Sequence, residues 1–126
     1  EDLIRMSEAV YNFQRVFNLK MGFGTRQHDA IPYRSVGPVT DVEYESRAER
    51  YDGQLRELVG IDPEGMSTEE KRLALRRHRE AQYEKLIDAV YERRGWNRNG
   101  IPTIEKVRAL GIDYPDVLAL IEQRAD

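Results

Sequence analysis

The sequence predicts an all-α fold, a single compact helical domain of four to five helices with one long, partly solvent-exposed helix. Three observations carry that reading. Apolar residues recur three and four apart in several stretches, the period of a helix that buries one face. No stretch alternates apolar and polar residues with the period of two that a half-buried strand requires. Glycines stand just past the ends of the periodic stretches, where a helix closes on a residue that accepts a positive φ. With 126 residues, 40% hydrophobic and 34% charged, the chain is long enough to bury one core and short for two ordinary domains. Residues 1–126 are therefore read as one domain.

From Leu3 to about Leu19, the residues Leu3, Met6, Ala9, Val10, Phe13, Val16 and Phe17 fall within an arc of roughly 140° when each residue advances the helix by about 100°. Ile4, Tyr11 and Leu19 lie off that arc. They form either a second apolar face covered by a neighbour or a few exposed apolar residues, and periodicity alone leaves both open. Residues 22–40 hold Gly22, Gly24, Pro32, Gly37 and Pro38, the punctuation of an extended connection. Gly22, Gly24 and Thr25 fit neither a dinucleotide fingerprint nor a P-loop, since no strand precedes them and the spacing is wrong. His28 beside Asp29 has the composition of an acid/base pair, but a lone loop histidine next to a carboxylate is ordinarily solvated.

Asp41 to Val59 is predicted as a second helix, with Tyr44, Ala48, Tyr51, Leu55 and Leu58 on one face and Gly60 closing it. A turn over residues 61–66 leads to Ser67, which forms a capping box with Glu70 and opens a helix running to Arg94. Its first half, Glu69 to Gln82, is dominated by charge and is expected to project into solvent or to span two bodies. Its second half carries the stripe Tyr83, Leu86, Ile87, Val90 and Tyr91. Gly95 suits the left-handed position after Arg94, which sends Trp96 back onto Tyr91. Thr103 caps a short helix to Leu110, and Gly111 with Ile112 repeats the closure, Ile112 meeting Val107. Asp113 and Pro115 open a last helix with Val117, Leu118, Leu120 and Ile121. The two strongest apolar patterns need each other's faces, so Phe13 and Phe17 are expected to pack against Tyr83, Leu86 and Val90.

Little chemistry is written in the chain. Twenty Lys and Arg against 23 Asp and Glu give a net charge of -3, which offers no positive field to nucleic acid or anionic lipid. No run is long enough to span a membrane and residues 1–25 lack signal-peptide order, so a cytoplasmic protein is expected. The chain opens on Glu1 without an initiator Met, as a processed or excised fragment would. Cysteine is absent, which removes disulfides, thiolate nucleophiles and any iron–sulfur cluster held by this stretch alone. His28 and His78 are isolated and lack metal-ligand spacing. The pairs Glu43 and Glu45, Glu69 and Glu70, and Asp113 and Asp116 lie at helix starts, where acidic residues favour the dipole. Arg72, Arg76, Arg77 and Arg79 form a basic cluster interleaved with Glu69, Glu70, Glu80 and Glu84, a solvated face rather than a phosphate-tracking one. No catalytic, cofactor-binding or metal-ligating residue is assigned.

Three blocks together resemble the C-terminal part of the aldehyde:ferredoxin oxidoreductase family. The first is Val10, Tyr11, Asn12, Arg15, Phe17, Asn18 and Leu19 with Gly22 after it. The second is Asp29, Ile31 and Pro32. The third is Tyr91, Arg94, Gly95 and Trp96, followed by Gly100, Ile101 and Pro102, then Glu105 and Lys106, then Leu110 and Gly111. The resemblance covers most of residues 3–32 and 83–112, and residues 60–82 are where the family varies. It implies a larger enzyme of three domains, in which a tungsten bis-pterin oxidises an aldehyde or related carbonyl. A four-iron four-sulfur cluster, whose cysteines lie upstream, would pass electrons to ferredoxin or to an iron–sulfur electron-transfer subunit. This chain would be its C-terminal helical domain, packing on the upstream domains and inactive alone. Two alternatives stay open: an aromatic acyl-CoA reductase-type relative with a longer central helix, and an independent helical interaction module.

Overall fold

The computed structural model describes residues 1–125 and is all α, with six α-helices and no strand among the described residues. They are α1 (Asp2–Lys20), α2 (Asp41–Glu45), α3 (Ala48–Gln54), α4 (Thr68–Arg94), α5 (Ile104–Leu110) and α6 (Pro115–Arg124). Two 3-10 turns, Arg26–Asp29 and Tyr33–Val36, interrupt the long connection, and a π-turn, Leu55–Val59, extends α3. The helices number one more than expected because the second breaks at Ser46 and Arg47. The Ser46 hydroxyl donates to the Glu43 carbonyl at 2.8 Å, the acceptor that the Arg47 N–H would take in a continuous helix. Arg47 N–H bonds Tyr44 instead, three residues back, and the axis resets. Among the described residues no helix is long and apolar enough to cross a membrane.

The chain forms two compact units, Glu1–Ala30 with Ile87–Asp126, and Ile31–Leu86. In the first, α1 packs on α5 and α6 around Val16, Leu19, Ile101, Val107, Leu110, Ile112, Val117 and Ile121. The closures read from glycine hold. Gly95 takes φ +72°, its N–H bonds Glu92 and the Trp96 N–H bonds Tyr91, the two hydrogen bonds of a Schellman motif. Gly111 repeats it at φ +70°, with Ile112 on Val107. Thr103 caps α5 through Lys106 N–H, and Pro115 opens α6.

The expected contact of Phe13 and Phe17 with Tyr83, Leu86 and Val90 does not form the core. Phe13 and Phe17 are 45% and 57% exposed, Leu86 is 56% exposed and Val90 39%. Of the stripe at the end of α4, only Tyr91 is buried. The face of α1 turned inward instead carries Asn12, Arg15, Val16 and Leu19. An apolarity pattern misses that face because two of its four residues are polar and are buried at no cost only when fully hydrogen-bonded.

In the second unit the core is Tyr44, Leu55 and Leu75, flanked by Ala48, Tyr51, Val59 and Ala74. Tyr44 donates to Asp52 at 2.7 Å and its ring lies 5.1 Å from that of Tyr51. Ser67 and Glu70 form the expected capping box of α4. The charged first half of α4 is less open than expected, since Leu75 and Arg76 are fully buried there. Its arginines are held mainly across the chain. Arg72 bonds Asp41 and the Val39 carbonyl, Arg76 bonds the Tyr33 and Gly37 carbonyls, and Arg79 bonds Gln54. The Arg76 guanidinium also lies 3.5 Å from the centre of the Tyr33 ring. An i to i+4 approach of the expected kind joins Arg76 and Glu80 at 4.0 Å.

Candidate functional site

The densest polar arrangement in the first unit is built around Arg15, on the inward face of α1. Its Nε donates to the Gly100 carbonyl at 2.8 Å. Its two terminal nitrogens reach the two Asp29 oxygens at 3.0 and 2.6 Å, a bidentate fork that only guanidinium geometry provides. Tyr91, near the end of α4, donates its hydroxyl to the same carboxylate. Three segments distant in sequence, α1, the 3-10 turn at Arg26–Asp29 and the turn before α5, thus meet at one cation.

Aromatic rings enclose this polar centre. The Arg15 guanidinium lies 4.5 Å from the Trp96 ring centre, and Trp96 packs on Tyr91 at 5.6 Å and stacks on Tyr11 at 5.9 Å with an 11° tilt. The Arg94 guanidinium lies 4.0 Å from the Tyr11 ring centre and 5.6 Å from that of Trp96. The indole N–H donates to Asn12 at 2.7 Å, and the Asn12 amide donates to the Glu8 carbonyl. Among the described residues no buried side-chain polar atom lacks a partner.

Gly100 is required where it stands. At φ +77°, a Cβ there would overlap the Arg15 guanidinium and come within 2.8 Å of the Tyr91 hydroxyl. The turn is held by Asn97, whose side chain accepts from the Asn99 and Ile101 N–H groups. Arg26 ties the 3-10 turn to the same region through Asp88, the Arg98 carbonyl and a backbone bond to Asn99.

The electrostatics favour an ionised carboxylate and a protonated phenol. The Arg15 hydrogen bond holds the Asp29 carboxyl below its ordinary range, against the opposing effect of burial. Burial, with Asp29 adjoining, pushes the Tyr91 phenol up to about 12. Burial tends to lower Arg15, but Asp29 outweighs it and the guanidinium stays charged. An ionised carboxylate held by the Arg15 fork and a phenol that keeps its proton form a clamp between these segments. His28 faces elsewhere, with Nδ1 2.9 Å from the Thr25 hydroxyl and its ring edge-on to Phe23. Among the described residues no three His, Asp or Glu side chains converge as metal ligands.

The residues of this clamp all come from the three sequence blocks, drawn from separate parts of the chain into one place. A family model described as aldehyde ferredoxin oxidoreductase, domains 2 & 3, matches residues 1–112. The chain belongs to the aldehyde ferredoxin oxidoreductase family. It is therefore a domain of an oxidoreductase family, and Asn12, Arg15, Asp29, Tyr91, Trp96 and Gly100 all lie within the match, while α6 lies beyond it. No curated protein and no solved structure matches the chain. Sequence spacing could not have joined Arg15 to Gly100, 85 residues away. The signal available was the resemblance of the blocks that contain Arg15, Asp29, Tyr91, Trp96 and Gly100 to one family.

Proposed function

We propose that this chain is the C-terminal helical domain of an aldehyde:ferredoxin oxidoreductase-type enzyme. That enzyme oxidises aldehydes or related carbonyls at a tungsten bis-pterin and delivers electrons through a four-iron four-sulfur cluster to ferredoxin, in the cytoplasm. The family match over residues 1–112 is the observation that carries the reading. The chain's own residues do not fit the role of cofactor ligand. It has no cysteine for a cluster, and its best-formed polar centre is fully committed to internal hydrogen bonds. No catalytic step is assigned to them. Their work is to lock α1, the Arg26–Asp29 turn and the turn before α5 into one body.

That body leaves a long apolar stripe on α1 open. Leu3, Met6, Val10, Phe13 and Phe17 are spaced three, four, three and four apart and are 45% to 76% exposed. With Tyr114, edge-on to Phe13 at 6.5 Å, this stripe is more than scattered surface apolar residues. In the proposed enzyme the upstream domains of the same polypeptide cover it.

Anaerobic expression of the coding sequence around this chain tests the reading. The expected product contains tungsten and iron by elemental analysis and reduces ferredoxin when given an aldehyde, whereas residues 1–126 alone do neither. A product of the full coding sequence that holds no such metals and oxidises no aldehyde overturns it.

A further inference from the structure

We draw no further inference here: the strongest candidate, the apolar groove between α1 and α6 lined by Phe13, Phe17, Tyr114 and Leu120, is continuous with the stripe already assigned to the rest of the enzyme, and nothing in the structure shows a second occupant.

Discussion

Arg15 is 10% exposed at its side chain and Asp29 31%, so this pair sits between a surface ion pair of little worth and a fully desolvated one. Two consequences separate the geometry from the charge. Lysine keeps the charge but cannot donate to Gly100 and grip both Asp29 oxygens at once, so Arg15→Lys should cost about 1.5 to 3 kcal/mol in thermal or urea unfolding. A variant as stable as the parent would mean that the fork is incidental. The charge is read by pH. Asp29 binds its proton less readily in the folded chain than in the unfolded one, so its stabilisation is full above the unfolded carboxyl value of about 4 and drains as pH falls through the lower folded value. Asp29→Asn should therefore be less stable than the parent at neutral pH and converge with it in acid. A gap that stays constant with pH contradicts this. Glycine gives a third contrast, because Gly100 and Gly111 share a positive φ but not their surroundings. Gly111→Ala meets open space and should cost only the backbone strain, about 1 kcal/mol. Gly100→Ala must also displace Arg15 or Tyr91, and should be the more damaging of the two in the same melt.

At the scale of elements, the closures were legible, as was the face of Tyr44, Ala48, Tyr51 and Leu55, but the inward face of α1 was not. The Gly95–Trp96 and Gly111–Ile112 closures, the Ser67–Glu70 box, the Thr103 cap and Pro115 depend on residues within two turns of each other, and local rules found them. The break at Ser46 depends on one hydroxyl choosing a carbonyl, which no periodicity records. The inward face of α1 was misread because its most apolar arc is the open one, and the buried one holds Asn12 and Arg15, whose partners lie up to 85 residues away. Truncations can weigh the two faces of the same helix. Leu19 is 1% exposed and Phe17 57%, so Leu19→Ala should cost about 2 to 5 kcal/mol while Phe17→Ala should leave the melting of residues 1–126 nearly unchanged. The reverse order would restore the face read from apolarity. Trp96 belongs with the buried class, at 7% exposed and clasped by Arg15, Tyr91 and Tyr11. Its truncation to Ala should cost roughly 3 to 5 kcal/mol, measured on this chain alone. An unchanged transition would mean that Trp96 serves contacts outside it.

The whole molecule combines two cores, one on α1, α5 and α6 and one on Tyr44, Leu55 and Leu75, with α4 contributing residues to both units. All-α architecture was legible from periodicity and the absence of alternating runs, and the family from three blocks that each supply residues to one clamp. What periodicity could not reveal is that these blocks serve two ends. Asn12, Arg15, Asp29, Tyr91, Trp96 and Gly100 hold this body together, whereas Val10 and Phe17, in the same first block, lie in the open at 60% and 57% exposure. The proposed packing of this chain within a larger enzyme draws on that second set, beside the family match over residues 1–112. Oxidative footprinting of Met6, Phe13 and Phe17 tests it directly, comparing residues 1–126 alone with the enzyme made from the full coding sequence. Heavy labelling of all three is expected in the chain alone and strong protection in the enzyme, with Leu19 protected in both. Equal labelling of Met6, Phe13 and Phe17 in the two samples would contradict it.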